Sequence, residues 1–199
     1  MINYSNIFVK NGLNYEAYRK LIADLLAQGK TTGEDDSQAM LHYTKMNIQR
    51  MNRVDKTIVL QEKFTSILEK ITGSYRLLVI SEGWCGDAAQ IVPLFHKMEL
   101  VAPERFSLRF VLRDEHLDLI DAHLTGGGRA IPVLLILNEK GEVLAKWGPR
   151  PAILQALLKE WKAAHTDALL VAEKLHGWYA KDKTLTTQEE LAVLFSSLD

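Results

Sequence analysis

The 199-residue chain contains a single cysteine, Cys85, so it cannot form an internal disulfide. It also lacks any apolar run near the roughly 20 residues that a membrane-spanning helix needs, so we expect no membrane partner. An excess of one charge is absent too, because 24 basic residues face 25 acidic ones. The formal charge of −1 gives no electrostatic basis for binding nucleic acid, which we therefore exclude as a partner.

Composition and the N-terminus point to an ordinary globular protein. A hydrophobic content of 47% and a charged content of 25% are sufficient for one domain with extensions. Residues 1–10 lack the basic start, apolar stretch and cleavage site of a signal peptide. Together with the scarcity of cysteine, this predicts a cytoplasmic protein.

The histidines do not form a predicted metal site. His116 and His123 share one face of a helix predicted to start at Asp114, but no cysteine or carboxylate joins them at ligand spacing. His96 is expected to face solvent from the helix that contains it. The sequence therefore predicts no metal and no cofactor.

Two amphipathic helical patterns precede the core. Asn14 is the predicted N-cap of a helix that runs to about Gln28, with apolar residues on one face. Ser37 is the predicted N-cap of a second helix that ends near Arg53. We interpret residues 1–55 as a helical N-terminal extension that packs on the core, because its apolar faces need a surface to cover.

Residues 56–165 show the order helix, strand, helix, strand, helix, strand, strand, helix. The predicted strands lie at 76–81, 106–112, 133–137 and 143–147. This order predicts an α/β fold with a central mixed four-stranded sheet flanked by helices. Residues 166–199 form a predicted helical C-terminal extension, in which Thr187 and Glu190 make the capping box of the last helix.

Cys85 lies between a predicted buried strand and a predicted helix. This position directs the thiol at a helix N-terminus, where unpaired N–H groups and the helix dipole favour the thiolate. Asp87 opposes that effect, because a nearby negative charge disfavours ionisation. Cys85 is therefore the candidate nucleophile, with a pKa set by the balance of these effects.

The run Trp-Cys-Gly-Asp-Ala at residues 84–88 resembles the Trp-Cys-Gly-Pro-Cys active site of the thioredoxin family. Pro93 matches the proline that bends the following helix in that family. Residues 129–135 resemble the cis-proline loop with its strand, and residues 139–148 resemble the next hairpin. The resemblance covers about residues 56–165 and implies a thioredoxin-like fold.

The same resemblance implies a site around Cys85. Trp84 would flank the thiol, and Ile131 with a cis Pro132 would form the opposite wall. Arg129, on the loop expected opposite the thiol, would supply a compensating positive charge. The implied catalytic residue is Cys85, and the implied substrate-binding residues are Trp84, Gly86, Asp87, Arg129, Ile131 and Pro132.

Two departures from the family pattern leave the function open. Ala88 occupies the place of the second cysteine, and Val79 occupies the place of a buried acid on the preceding strand. The first hypothesis is monothiol exchange, in which Cys85 forms a mixed disulfide with a protein or a low-molecular-weight partner and an external thiol resolves it. The alternative is a redox-inactive binding or scaffold protein that uses the groove beside the cis-proline. Binding of an iron–sulfur cluster, as in monothiol glutaredoxins, is disfavoured because residues 85–88 do not match that group closely.

Two further patterns have a structural interpretation. Arg50, Arg53 and Lys56 form a small basic cluster that we interpret as a solvated helix end. Residues 126–128 are three glycines, interpreted as a flexible entry to the proline loop because the strand–loop–helix order of a phosphate loop is missing.

Overall fold

The computed structural model describes residues 2–164 and 167–198. Within these residues the chain forms nine helices and four strands. In chain order they are α1 (Tyr4–Lys10), α2 (Tyr15–Ala27), α3 (Gln38–Thr57), α4 (Glu62–Lys70), β1 (Tyr75–Ser81), α5 (Gly86–Val101), β2 (Phe106–Leu112), α6 (Leu117–Asp121), β3 (Val133–Leu137), β4 (Val143–Trp147), α7 (Ala152–Ala164), α8 (Ala168–Asp182) and α9 (Leu185–Phe195).

The four strands form one mixed sheet in the order β2-β1-β3-β4. β1 pairs with β2 in parallel and with β3 in antiparallel orientation, and β3 pairs with β4 in antiparallel orientation. Nearly every residue of β1 and every residue of β3 is buried, as expected for strands covered on both faces. The predicted mixed four-stranded α/β fold is confirmed.

The N-terminal helices pack on the core through their apolar faces. The predicted caps are confirmed, because Asn14 accepts a hydrogen bond from the N–H of Ala17 and Ser37 accepts one from Met40. Tyr18 of α2 is fully buried and stacks on Phe110 of β2 with ring centroids 4.6 Å apart. The short helix α1 lies outside the predicted pattern, since seven residues are too few to show a clear period.

The C-terminal helices also cover the core. Asp167 caps α8 by accepting from the N–H of Leu169. The predicted capping box in α9 is wrong, because that helix begins at Leu185 and Thr187 is buried inside its first turn. The Glu190 carboxylate instead accepts from the Trp147 indole at 2.8 Å, so it links α9 to the end of β4.

Two further expectations are corrected. Helix α6 begins at Leu117 and not at Asp114, because the Asp114 N–H is donated to the Glu82 carboxylate at 3.0 Å in a turn. His96 does not face solvent. Its ring stacks on Tyr15 with centroids 4.4 Å apart, and its side chain is 16% exposed. Pro93 lies inside the continuous helix α5, and the bend expected there stays a prediction.

Candidate functional site

Cys85 is the N-cap of α5, directly after the loop that follows β1. Its Sγ accepts a weak hydrogen bond from the Ala88 N–H at 3.5 Å and donates one to the Ile131 carbonyl at 3.3 Å. The Ile131–Pro132 bond is cis, and the loop that contains it lies against the thiol. The residue is only 8% exposed, so the thiol is enclosed between α5 and the proline loop.

Burial decides the ionisation of Cys85. Removal from water, with a smaller contribution from the Asp87 carboxylate, raises the pKa of this thiol to about 12. The N–H groups of the helix end and the Arg150 guanidinium lower the pKa by less than burial raises it. The helix N-terminus therefore acts in the expected direction, but the thiol and not the thiolate is the resting form.

Asp87 belongs to a buried cluster of polar side chains. Arg150, from the turn before α7, pairs with its carboxylate through Nη2 at 2.5 Å and Nε at 3.2 Å. The Tyr179 hydroxyl of α8 donates to the same carboxylate at 2.6 Å. Asp87 is 6% exposed and lines an open cavity of about 540 Å³ together with Arg150, so its role in substrate binding stays a prediction.

Arg129 does not supply the positive charge expected at Cys85. Its guanidinium makes a two-point pair with the exposed Asp121, at 2.6 and 2.8 Å. Arg150 takes the expected role instead, since its charge lowers the pKa of the Cys85 thiol. No local pattern indicated this role, because Arg150 lies far along the chain from Cys85 and follows a second cis bond, Gly148–Pro149.

Helix α8 covers the motif from the C-terminal side. A Cβ atom on Gly86 would lie 2.8 Å from the His176 ring, so only glycine allows this contact. The His176 Nδ1 atom lies 3.3 Å from the Gln90 amide nitrogen of α5. Burial and the charge of Arg50 lower the pKa of His176 to about 4, so its ring is neutral at pH 7. Glycine at position 86 therefore serves helix packing over the thiol.

The N-terminal extension covers the same loop from the other side. The Gly83 N–H donates to the Thr32 hydroxyl at 2.9 Å, and the Gly83 carbonyl accepts from the Asn47 side chain at 3.1 Å. A Cβ on Gly83 would lie 2.9 Å from Ile22 of α2. The extensions thus hold the motif loop in place and restrict access to the thiol.

Glu82 is a buried carboxyl group that the sequence analysis did not select. It accepts hydrogen bonds from the Thr32 hydroxyl and from the Asp114 N–H. Burial raises the pKa of Glu82 to about 7, and the two hydrogen bonds offset only part of that effect. In the sequence, the signal for this buried carboxyl group was an acidic residue directly after the apolar strand β1.

We expect Glu82→Gln to remove a pH dependence from the folding stability. In the unfolded chain a glutamate ionises near ~4.3, whereas the pKa of folded Glu82 is about 7. Between these values the folded state binds the extra proton, so wild-type stability falls as the pH rises from about 4 to 7. At pH 8 the variant should therefore be more stable than wild type by about 1–3 kcal/mol.

Urea unfolding at pH 4, 6 and 8 measures this effect, with the exposed Glu104→Gln as the matched control. Equal slopes of stability against pH in wild type and Glu82→Gln would show that this carboxyl does not titrate as its burial requires.

An open cavity of about 370 Å³ lies beside the motif. It brings together Trp84 and Arg129 of the predicted site, with Arg113 placed over the Trp84 ring at 4.6 Å. Cys85, Ile131 and Pro132 are buried and do not line it. The structure therefore divides the predicted site into an enclosed thiol and an open surface at Trp84.

In the part of the chain that the structure describes, no group of three His, Cys, Asp or Glu side chains could hold a metal ion. Likewise, none of the described helices is long and apolar enough to cross a membrane.

A mixed sheet, a single cysteine at the N-terminus of the helix after β1, and a cis-proline against its sulfur define a thioredoxin-fold protein. The thioredoxin family model matches residues 33–162. The chain therefore belongs to the thioredoxin family. The match begins before residue 56 and includes α3, so the boundary proposed at residue 55 stays a prediction.

Two crystal structures share this fold at low sequence identity. A protein of unknown function from Pseudomonas aeruginosa is 19% identical, with a TM-score of 0.63, and the match covers 98% of this chain and 97% of that chain. An HIV epitope scaffold is 18% identical, with a TM-score of 0.59 and the same coverage. No curated protein is similar enough in sequence to match. These likenesses support the fold over nearly the whole chain, including both extensions.

Proposed function

We propose that this protein is a redox-inactive binding or scaffold member of the thioredoxin family. The observation that carries the proposal is the enclosure of Cys85, which is 8% exposed and whose thiol donates to the Ile131 carbonyl of the proline loop. A nucleophile must ionise and reach its target, and burial opposes both. With no second cysteine in the chain, an internal disulfide cannot release a bound partner.

The partner surface in this proposal is the open surface at Trp84, beside the cavity of about 370 Å³. Ile131 and Pro132 are buried, so the wall beside the cis-proline is closed to an extended segment in this conformation. Trp84 and Arg113 remain partly exposed next to the 370 Å³ cavity, and such aromatic and arginine side chains are enriched at binding interfaces. A chain with one free thiol also suits the reducing cytoplasm, which we propose as its compartment.

Monothiol exchange is the second candidate, and the N-cap position of Cys85 favours it. In this reaction the Cys85 thiolate attacks a disulfide, one sulfur leaves as a thiolate, and a second external thiol later releases the mixed disulfide. The Ala88 N–H and the Arg150 charge would stabilise the attacking thiolate. The reaction requires the thiol to become accessible first, because Cys85 is 8% exposed and its Sγ donates to the Ile131 carbonyl.

Incubation with glutathione disulfide at pH 7.4 separates the two candidates. We expect native protein to gain no glutathione by intact mass spectrometry, while the protein unfolded in about 8 M urea gains one. A native adduct that reduced glutathione then removes would establish monothiol exchange and overturn the scaffold proposal.

A matched pair of α8 variants tests whether packing of this helix over Gly86 keeps Cys85 from reacting with glutathione disulfide. His176→Ala removes the side chain over Gly86 and should allow adduct formation, whereas the exposed Glu173→Ala should not. If neither variant reacts while both stay folded, the thiol is protected by its other neighbours and not by α8.

A further inference from the structure

A second cavity lies away from the Trp84 surface, between α3, α5 and the junction of α8 with α9. Its volume is about 300 Å³, at the small end of the range for ligand sites in proteins. The polar residues that line it are Arg53, Thr57, Gln90, Tyr179, Lys183 and Thr184. Arg53 belongs to the basic cluster that we interpreted from the sequence as a solvated helix end.

The charges around this cavity are positive. Arg53 and Lys183 line it, and no carboxylate is among its described lining residues. The charge of Arg50 lowers the pKa of the nearby His176, the Asp87 carboxylate raises it, and Arg53 lowers it by less. The closest acids have other partners: Asp87 pairs with Arg150, and Asp182 accepts from the N–H of Thr186.

The wall of the cavity offers buried polar groups. Gln90 and Tyr179 are 3% and 4% exposed. The Gln90 carbonyl oxygen accepts from Arg53 at 2.9 Å, which directs the guanidinium toward the cavity wall and leaves further N–H groups on it. The Gln90 amide also has a second N–H besides the one near His176. The Tyr179 hydroxyl already donates to Asp87, so the donors that remain for a ligand belong to Arg53, Gln90 and Lys183, which line the same small space.

The backbone at the cavity mouth has an unusual conformation. Lys183 and Thr184 are consecutive and both have positive φ, at 51° and 69°. Left-handed backbone is unfavourable for a β-branched threonine, and such residues cluster at ligand clamps. The turn places the Lys183 side chain at the cavity that Arg53 lines from α3.

We propose that this cavity binds a small phosphate-bearing anion. A planar guanidinium and an ammonium group on either side of the cavity match the several acceptor oxygens of a phosphate. The buried amide of Gln90 supplies a neutral donor at the floor. The site is independent of Cys85 chemistry and of the Trp84 surface.

Isothermal titration with inorganic phosphate and with glycerol 3-phosphate tests the proposal, at ionic strength held constant with sodium chloride. Both ligands should bind, and glycerol alone should not. Since a hydrogen bond to a charged group contributes about a tenfold change in affinity or more, Arg53→Gln should weaken binding about 10-fold. Lys181→Gln, an exposed neighbour on α8, should change it less than about 2-fold.

Lys183→Gly keeps the test valid if other variants unfold. Glycine accepts the left-handed backbone at position 183, so this variant should keep or raise the melting temperature while it weakens phosphate binding about 10-fold. Equal losses in Lys181→Gln and Lys183→Gly would show general charge attraction and overturn the site, as would the absence of phosphate binding to wild type.

Discussion

Iodoacetamide should alkylate Cys85 of the folded protein at pH 8 about 1000-fold more slowly than Cys85 of the unfolded chain. The thiolate is the reacting form, and burial raises the pKa of folded Cys85 to about 12, against about 8.5 for a free cysteine. The thiolate population therefore falls by about three powers of ten, before any steric hindrance is counted. Peptide mass spectrometry after timed quenching measures both rates.

The Asp87→Asn variant tests in which direction the Asp87 charge changes the labelling rate of Cys85. It removes the negative charge that raises the pKa of Cys85 and leaves the Arg150 charge, which lowers it. Labelling of the folded variant should therefore be faster than that of wild type at the same pH, provided that a urea titration shows both proteins folded. If wild type labels as fast as the unfolded chain, Cys85 is accessible and the scaffold proposal fails.

The sheet could be predicted from the sequence because its signals are local. Each strand is a short apolar run between turn residues, and the observed bounds of β2, β3 and β4 agree with the predicted ones residue for residue. Helix caps such as Asn14 are equally local. The errors in α6 and α9 arose where a side chain had a distant partner, as Glu190 has in Trp147.

The candidate site shows the same division between local and distant information. The motif placed Cys85 at a helix N-terminus and beside Pro132, because the spacing of these residues in a known fold fixes that relation. The expectation that Arg129 supplies the positive charge at Cys85 was wrong, because Arg129 pairs with Asp121 and no sequence pattern indicates that Arg150 approaches the site. His176 and Tyr179 lie on an extension that the motif does not include, so their cover over Gly86 and Asp87 was not predictable.

Arg150→Met should destabilise the protein by about 3–5 kcal/mol. The side chains of Arg150 and Asp87 are 12% and 8% exposed, so this ion pair is nearly removed from water. Methionine leaves the Asp87 carboxylate buried without its cation and with the Tyr179 hydroxyl as its remaining donor among the contacts described above. The penalty of an uncompensated buried charge exceeds the loss of the attraction itself. Urea unfolding at pH 7 measures the difference.

The exposed pair of Arg129 with Asp121 is the matched control. It has similar two-point geometry, but its side chains are 45% and 47% exposed, so Arg129→Met should cost only about 0–1 kcal/mol. Adding Asp87→Asn to Arg150→Met removes the stranded charge and should recover part of the loss. Equal effects of the two single arginine variants would mean that water reaches Asp87. In that case the contacts of the Asp87 carboxylate with Arg150 and Tyr179 would not keep it from solvent.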